Sequence, residues 1–331
     1  MTDRRVIVTG GSGFVGTNLV EYFSQQGWEI RNFDVAHPRN PDHLCYWTGV
    51  DILDKKRLIE ETQKFQPTVF LHFAARTDLN ERQNLAGYAA NIEGAGNVIE
   101  AIRSTHSIQR AIFASSQLVC ALGYRPRDEY DYRPSTLYGQ SKVLTERIIR
   151  IAENMDVVWT ILRPTSLWGP WFDVPYKNFF IAIARNLYVH PGSICILKQW
   201  GFVGNSVFQV HRLIEAPVEK VHKKTFYLAD YEPVELRDFA NKVQVALGAK
   251  PIRTVSPGLL KTAALLGDMG KKIGWATPPL TTFRYRNMIT METQDLSLMQ
   301  EVTGPLPYSV DQGINTTVRW LHQHDKQIKV R

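Results

Sequence analysis

The feature that most constrains this chain is a glycine-rich turn that follows an apolar, β-branched run. Residues 6–9 read Val-Ile-Val-Thr, and Gly10, Gly13 and Gly16 follow at intervals of three before a helix-compatible segment. A strand that leads into a tight turn and a helix N-terminus presents free backbone N–H groups and the positive end of the helix dipole. Glycine lets an anion approach that backbone because no Cβ intervenes. The turn therefore predicts a site for the pyrophosphate of a dinucleotide.

An acidic residue follows at the position where the ribose of such a dinucleotide is held. Asp34 ends the next apolar run, eighteen residues after Gly16. An acidic side chain about 20 residues beyond the turn accepts hydrogen bonds from the ribose hydroxyls of NAD. A carboxylate there also repels the 2′-phosphate of NADP, so the sequence predicts NAD as the cofactor.

The first half of the chain alternates strand and helix patterns. The pattern predicts strands at 4–9, 28–34, 46–50, 68–73, 111–115 and 157–162, and helices at 17–26, 53–65, 91–106 and 138–155. Such alternation is typical of an α/β fold with a doubly wound parallel sheet, the Rossmann arrangement. Ligands of these sheets bind at the carboxyl ends of the strands, so the residues that follow each strand are expected to line one rim.

The second half lacks a repeating strand–helix unit and carries prolines and aromatic clusters. We expect an NAD-binding Rossmann domain over 1–165, to which the chain returns at about 201–228. A smaller, mainly helical substrate-binding lobe is expected over 166–200 and 229–331. Residues 259–266 are apolar with lysines nearby; a core helix is expected there, and contact with a membrane surface is the alternative.

The composition is that of an ordinary soluble globular protein, with a net charge of +7 that suits an anionic ligand. The charges are scattered, which gives no reason to expect a nucleic-acid partner. No segment reaches the roughly 18 apolar residues of a spanning helix, and the first residues lack the apolar core of a signal peptide. Cys45, Cys120 and Cys195 show no metal-ligand spacing, so no metal, no disulfide and a cytoplasmic location are expected.

The chemistry is expected in the segment Tyr-Gly-Gln-Ser-Lys at 138–142. On a helix, Tyr138 and Lys142 share a face. A tyrosine with its ordinary pKa near 10 is a poor base, and a nearby ammonium together with the positive nicotinamide of oxidised cofactor would lower that pKa. Ser115 or Ser116, at the end of a neighbouring strand, could hold a substrate oxygen that changes between alcohol and ketone. A Tyr/Lys pair on a helix often lies at the surface without a catalytic role, but the order of these motifs along the chain favours catalysis.

Taken together, these motifs resemble the extended short-chain dehydrogenase/reductase family, in its NAD-dependent nucleotide-sugar epimerase/dehydratase branch. The resemblance covers roughly the first 170 residues and is specific as a set. The matching segments are Thr9–Gly16, Asp34, Asp51-Ile52, Ala74-Ala75, 91–94, Ser115-Ser116, Tyr138–Lys142, 162–164 and 168–170.

The resemblance implies a catalytic set and a cofactor-binding set. Ser116 would be the catalytic hydroxyl, with Ser115 its buried neighbour, and Tyr138 and Lys142 the catalytic pair. Asp51 would lie near the adenine. The residues expected to contact NAD are Gly10, Gly13, Phe14, Val15, Gly16, Asp34, Asp51, Ile52, Ala74, Ala75, Arg76, Asn91, Ser115, Tyr138, Lys142 and Pro164. A homodimer without stable membrane insertion is also expected.

Two departures from the family pattern bear on the reaction. Dehydratases of the family place an Asp-Glu pair directly after the catalytic hydroxyl, where this chain has Gln117 and Leu118, so dehydration is disfavoured. The combined epimerase-reductases place a Cys at the first of these positions and a His after the Pro-Thr-x-x-x-Gly-Pro stretch. Here Gln117 and Trp171 stand at those places, so enolisation next to the keto group is unsupported.

The substrate end departs as well. The family usually has Asn where Ser166 stands, and an Arg-Asp pair near Asn205 and Ser206 that contacts a diphosphate. Arg212 or Arg185 could supply the positive charge instead. The residues expected to contact the substrate are Thr77, Gln117, Ser166, Asn205 and Arg212.

The remaining chemistry is hydride transfer at one carbon. The first hypothesis is 4-epimerisation of a nucleotide-diphosphate sugar through a transient ketone, with NAD retained and Tyr138 as the base, as in the synthesis of polysaccharide and lipopolysaccharide precursors. The alternatives are an NAD(P)-dependent sugar 4-reductase or hydroxysteroid-type dehydrogenase, and a non-catalytic NAD-sensing relative.

The position of Asp34 predicts that NAD binds more tightly than NADP. Replacing Asp34 by Ala removes both the repulsion of the 2′-phosphate and the hydrogen bonds to the ribose. The change should therefore reduce the difference between the affinities for NAD and for NADP. Calorimetric titration of each protein with both nucleotides measures this. Equal or tighter binding of NADP by the unmutated protein would contradict the prediction.

Overall fold

Parallel strand pairing organises the chain in the computed structural model. The described residues are 4–79, 81, 83–153, 155–173, 176–275, 278, 280–325 and 328. Within them, seven strands form one sheet in which every neighbouring pair is parallel. The prediction of an α/β fold with a doubly wound parallel sheet and a mainly helical C-terminal region is therefore confirmed.

The bounds of the elements follow the predicted alternation. The strands are β1 (Arg5–Thr9), β2 (Glu29–Asp34), β3 (Trp47–Gly49), β4 (Val69–His72), β5 (Arg110–Ala114), β6 (Val158–Pro164), β7 (Ser166–Trp168), β8 (Val189–Pro191), β9 (Leu197–Lys198), β10 (Trp200–Phe202), β11 (Lys224–Leu228), β12 (Val234–Glu235) and β13 (Arg253–Val255). The α-helices are α1 (Phe14–Gln25), α2 (Lys55–Phe65), α3 (Ala89–Arg103), α4 (Leu137–Arg150), α5 (Tyr176–Ala184), α6 (Val203–Glu215), α7 (Val218–Val221), α8 (Leu236–Ala246), α9 (Pro257–Lys272), α10 (Thr282–Ile289), α11 (Ser297–Thr303) and α12 (Val310–His324). Short 3-10 turns occupy Pro41–Tyr46, Leu85–Tyr88 and Gln117–Val119.

The strand order places a ligand crevice at the glycine turn. The order across the sheet is β11-β6-β5-β4-β1-β2-β3, so the direction of winding reverses between β1 and β4. Ligands of open parallel sheets bind at such a reversal, outside the carboxyl ends of the strands. The turn after β1 and the loop after β4 both lie there.

The core of the sheet explains why these segments are continuous apolar runs. Ile7, Phe70, Phe113 and Ile161, on four neighbouring strands, belong to one buried cluster together with Val98 of α3. A strand that is covered on both faces carries apolar residues at successive positions rather than alternating ones. Burial of each large side chain contributes about 1.5–3 kcal/mol.

Two compact units make up the chain. The first comprises Met1–Phe172, Gly201–Tyr231 and Asp295–Tyr308, and it contains the seven-stranded sheet. The second comprises Asp173–Trp200, Glu232–Gln294 and Ser309–Arg331. The assignment of cofactor binding to one part of the chain and of substrate binding to the other stays a prediction, as do the homodimer and the cytoplasmic location.

The expectation of a core helix over 259–266 is confirmed for the helix and for one of its faces only. Helix α9 covers this segment and buries Leu260 and Ala264 against α10, but Leu259 and Leu266 are exposed. The apolar residues surround more of the helix than its neighbour covers, so part of them faces solvent. Among the described residues, no helix has both the length and the apolar composition needed to cross a bilayer.

The glycine turn is closely packed against the backbone after β4 and against its own. Gly10 has a φ of +74°, and a Cβ added there would lie 2.6 Å from the backbone nitrogen of Ala74. A Cβ at Gly16 would overlap the carbonyl oxygen of Gly10. The first residue needs glycine for its backbone conformation and the second for the close approach of α1 to the turn.

We predict that Gly16→Ala destabilises the protein although alanine favours helices. The added methyl group has to displace backbone, which costs about 1–3 kcal/mol or more. The matched control is Gly96→Ala on α3, where nothing lies within 4 Å of the added Cβ. That change should stabilise the protein by about 0.5–1 kcal/mol. Urea unfolding of both variants measures the difference, and equal free energies of unfolding would contradict the prediction.

Candidate active site

The turn after β1 leaves the first N–H groups of α1 available to an anion. The backbone N–H of Gly13 donates to the carbonyl oxygen of Gly10 (3.0 Å), which closes the turn. Gly13 is the N-cap of α1, and neither a capping side chain nor an acidic residue occupies the first turn of the helix. The helix starts with Phe14 and Val15, so their N–H groups point out of its positive end. These residues fit the pyrophosphate of a dinucleotide.

Asp34 lies directly beside this turn. Its carboxylate accepts hydrogen bonds from the backbone N–H groups of Ser12 (3.0 Å) and Ala36 (2.9 Å). The buried Asn32 donates to the hydroxyl of Ser12 (3.1 Å), which in turn donates to the carbonyl oxygen of Ala36 (2.8 Å). Asp34 is only half-buried, so its carboxylate stays accessible at the end of β2. Its contact with a ribose stays a prediction.

A clamp made by Asn91 fixes the loop after β4. The side chain of Asn91 accepts from the backbone N–H of Arg76 (2.8 Å) and donates to the carbonyl oxygen of the same residue (3.0 Å). It also donates to the hydroxyl of Ser141 on α4 (2.9 Å). Ala74 and Ala75, both half-buried, precede the clamped residue. In the protein alone Asn91 is a positioning residue.

The guanidinium of Arg76 is directed into the same loop. It forms an ion pair with Asp78 (2.7 Å) and donates to the carbonyl oxygen of Gly87 (2.8 Å). Thr77, between the two charged residues, is exposed. The backbone of this loop therefore lines the rim, whereas the Arg76 side chain holds the loop in shape.

The predicted catalytic residues come together between β5 and α4. Ser116 follows β5 and Tyr138 lies in the first turn of α4, and both are buried. The Ser116 side chain lies close enough to influence the pKa of Tyr138. The ammonium of Lys142, one helical turn further, donates to the carbonyl oxygen of Ala114 (2.8 Å). The ring of Tyr88 lies 6.1 Å from that of Tyr138. Tyr138 and Lys142 thus lie on one helix, as their spacing predicted, and their catalytic role stays a prediction.

Burial dominates the electrostatics of this cluster. Burial raises the pKa of Tyr138 to about 12, and the neighbouring Ser116 side chain, which lowers this pKa, opposes the effect only in part. Burial lowers the pKa of Lys142 to about 8. In the protein without cofactor, desolvation dominates the pKa of the phenol and the Lys142 ammonium binds Ala114. The lowering of this pKa by Lys142 together with oxidised nicotinamide stays a prediction.

A buried charge network behind the site escaped the sequence reasoning. Glu146 is completely buried and accepts hydrogen bonds from Ser115 (2.6 Å) and from the guanidinium of Arg163 (2.8 Å at each carboxylate oxygen). Tyr132 donates to the same carboxylate (2.9 Å). Burial acts to raise the pKa of Glu146, but these donors outweigh it and the pKa is lowered. One signal was available: Glu146 follows Lys142 by four residues and so shares its helical face.

His72 is a second residue that the sequence reasoning missed. It ends β4, and its Nδ1 lies 2.8 Å from the hydroxyl of Thr9, which accepts from the backbone N–H of Ala74 (3.3 Å). Burial, and then the nearby ammonium of Lys142, lower the pKa of His72 to about 3. The imidazole is therefore neutral at physiological pH and links the ends of β1 and β4.

Several of the remaining predicted residues lie at the carboxyl ends of strands. Gln117 is buried next to Ser116, Ser166 is buried in β7, and Pro164 ends β6. Asp51 follows β3 and is exposed, and its neighbour Ile52 is buried. Their contacts with cofactor or substrate stay predictions.

Asn205 and Arg212 do not join this group. The Asn205 amide donates to Asp230 (2.9 Å) and to the carbonyl oxygen of Tyr308 (3.0 Å), and its oxygen accepts from the N–H of Tyr308 (3.0 Å). Arg212 is exposed and pairs with Glu215 (3.1 Å) at the end of α6. The adjacent His211 contacts the C-terminal half of α1, which points away from the glycine turn. The structure thus places Asn205 in an internal brace and Arg212 away from the rim.

Comparison with known proteins agrees with this geometry. A family model described as NAD dependent epimerase/dehydratase family matches residues 6–229. The chain belongs to this family. Its members include epimerases and dehydrogenases, and the family is NAD dependent, which confirms the predicted resemblance and cofactor at the level of the family.

Individual relatives of the family differ in the reactions their names describe. A 3-beta-hydroxysteroid dehydrogenase of Mycolicibacterium neoaurum is 29% identical over 282 residues, covering 80% of this chain and 75% of the relative. An N-acetyl-alpha-D-glucosaminyl-diphospho-ditrans,octacis-undecaprenol 4-epimerase of Escherichia coli O157:H7 is 24% identical over 329 residues, covering 97% and 96%. Among solved structures, a UDP-glucose 4-epimerase from Thermotoga maritima with UDP-glucose superposes with a TM-score of 0.74 at 19% identity, covering 96% and 99%. This last likeness concerns the fold.

We predict that the buried Lys142 makes stability depend on pH. Its pKa is about 8 in the folded protein and near 10.5 in the unfolded chain. The unfolded chain therefore binds more protons between these values, and the free energy of unfolding rises with pH across this window. Between about pH 7 and about pH 10 the protein should gain about 2 kcal/mol relative to a Lys142→Met variant, which lacks this group. Urea unfolding at both pH values measures the difference, and parallel pH dependences would contradict it.

Proposed function

We propose that this chain interconverts a secondary alcohol and the corresponding ketone with NAD. The observation that carries the proposal is that Ser116 and Tyr138 are buried near each other, with Lys142 one helical turn from the tyrosine. This pair lies at the carboxyl end of β5, in the sheet whose β1 leads into the glycine turn. NAD, when bound, exchanges a hydride with the carbinol carbon, and its oxidised ring carries a positive charge.

The residues of the chain perform the accompanying proton transfer. Ser116 holds the substrate oxygen, and Tyr138 exchanges a proton with it. A phenol with a pKa of about 12 stays protonated at neutral pH, so the protein alone is set to donate a proton to a forming alkoxide. Oxidation of the alcohol requires the deprotonated phenol as a base, and additional positive charge near the phenol would lower its pKa. Lys142, with a pKa of about 8, is mostly protonated at pH 7 and can donate hydrogen bonds to the cofactor ribose.

One candidate substrate is a nucleotide-diphosphate sugar, epimerised at C4. The sequence motifs favour it, and the relative from Escherichia coli is named as a 4-epimerase of a diphosphate-linked sugar. Retained NAD would first oxidise and then reduce the same carbon. An epimerase of this kind would act in the synthesis of polysaccharide precursors.

A second candidate is a net dehydrogenase acting on an apolar, hydroxysteroid-like alcohol. Two observations favour it: the Asn205 amide is held by Asp230 and Tyr308, and Arg212 lies away from the rim. These protein contacts of both side chains count against their predicted binding of a diphosphate. The relative from Mycolicibacterium neoaurum is named as a hydroxysteroid dehydrogenase. We rank this candidate above the epimerase.

A comparison of cofactor turnover separates the two candidates. The protein is incubated with NAD and either a 3β-hydroxysteroid or UDP-glucose, while NADH absorbance and sugar products are followed. A dehydrogenase forms one NADH for each ketone, whereas an epimerase converts the sugar without net NADH. Sugar conversion without NADH, and no reaction of the steroid, would reverse our ranking.

We predict that Tyr138→Phe lowers kcat about a thousandfold or more, because the substrate proton has no other acceptor, while NAD affinity is retained. Lys142→Ala should lower kcat and weaken NAD binding. Adding Tyr138→Phe to Lys142→Ala should lower kcat only a little further, because the two residues act as a unit. The matched control is Tyr130→Phe, which removes the hydroxyl of an exposed tyrosine and should leave kcat unchanged. Folded Tyr138→Phe protein with unchanged kcat would exclude the proposed mechanism.

A further inference from the structure

Helix α9 carries an apolar stripe that faces solvent. Leu259, Leu266, Met269 and Ile273 recur at helical spacing and are between 61% and 87% exposed. The opposite side of the helix, with Leu260, packs against α10. Exposed leucines are common singly, but a row of large apolar side chains along one helix needs an explanation.

An indole extends this stripe at the C-terminal end of the helix. Trp275 folds back onto α9: its backbone N–H donates to the carbonyl oxygen of Gly270 (2.8 Å), and a Cβ added at Gly270 would lie 2.7 Å from the indole. About half of the Trp275 side chain is exposed. An amphipathic ring at the edge of an apolar surface is suited to the boundary between lipid and water.

Positive charge accompanies the stripe. Lys261, Lys271 and Lys272 are exposed and form no ion pair with any described residue. Asp268 is the single acidic residue of the helix sequence, and its carboxylate accepts from the backbone N–H of Thr282 (3.2 Å) at the start of α10. The surface therefore combines apolar side chains with a net positive charge.

From these features we propose that α9 docks the protein onto an anionic lipid surface, with the stripe in the headgroup region and the lysines on the lipid phosphates. A helix with one face of large apolar side chains and with lysines on its other sides has the pattern of interfacial binding. A second copy of the chain fits less well, because a two-fold packing of this face on itself brings two helices of net positive charge together.

The docking proposal does not depend on the reaction, because lipid binding is measured without substrate or cofactor. The intact protein is floated with phosphatidylcholine vesicles that contain about 30% phosphatidylglycerol, and with vesicles of phosphatidylcholine alone. We expect binding to the anionic vesicles, much weaker binding to the neutral ones, and loss of binding in about 0.5 M salt.

Two sets of variants test the surface itself. Leu266→Glu/Met269→Glu should abolish binding, and the single change Ile273→Glu, just beyond the helix, should weaken it at least about tenfold. Lys261→Gln/Lys271→Gln/Lys272→Gln should lower partitioning about a hundredfold. The matched control is Leu187→Glu/Val245→Glu, which adds the same charge at apolar residues of similar exposure in the same unit and should keep binding. Thermal melts confirm that each variant is folded.

Three outcomes would overturn the proposal. The first is no binding of the unmutated protein to anionic vesicles. The second is equal binding of the stripe variants and the control. The third is a dimer in analytical ultracentrifugation that Leu266→Glu/Met269→Glu converts to a monomer, since a second copy would then cover the stripe.

Discussion

The buried ion pair of Glu146 and Arg163 is the interaction on which the candidate site depends. It joins α4, which carries Tyr138, to β6, and through Ser115 it reaches the end of β5. An isolated carboxylate in this position would be strongly destabilising, and removal of one partner from such a pair costs about 3–5 kcal/mol. The bidentate geometry and the hydrogen bonds from Ser115 and Tyr132 offset the loss of water. The predicted catalytic residue Tyr138 is thus on a helix that this charge pair fastens to β6.

Local patterns in the sequence were sufficient for the fold and for the placement of Tyr138 and Lys142 on one helix. The turn at Gly10–Gly16 requires backbone conformations and close approaches that few residues allow, so it is recognisable from the sequence. Apolar residues recur at different spacings in strands and in helices, so the alternation of these elements is visible in the sequence. Tyr138 and Lys142 lie one turn apart on one helix. The hydrogen bond between His72 and Thr9 joins residues 63 positions apart and depends on the register of β1 and β4, so no local pattern indicates it.

The features that the sequence did not predict share one physical cause. Whether a side chain is buried depends on what the rest of the chain places next to it. The spacing of Tyr138 and Lys142 gives their proximity but not the desolvation that raises the pKa of the phenol. Likewise, the apolar composition of 259–266 gives a helix but not the share of its surface that α10 covers. The same holds for Asn205, whose amide is engaged by Asp230, a residue 25 positions further on.

The way in which the chain alternates between its two units has a consequence for folding during synthesis. The first unit consists of Met1–Phe172, Gly201–Tyr231 and Asp295–Tyr308, with stretches of the second unit between them. The first six strands of the sheet emerge from the ribosome well before β11, which completes the sheet beside β6. Until then the edge of β6 has unpaired backbone groups, a condition that favours aggregation. A truncation after Phe172 would make this vulnerable state permanent, so neither unit can be produced alone by cutting the chain at a single position.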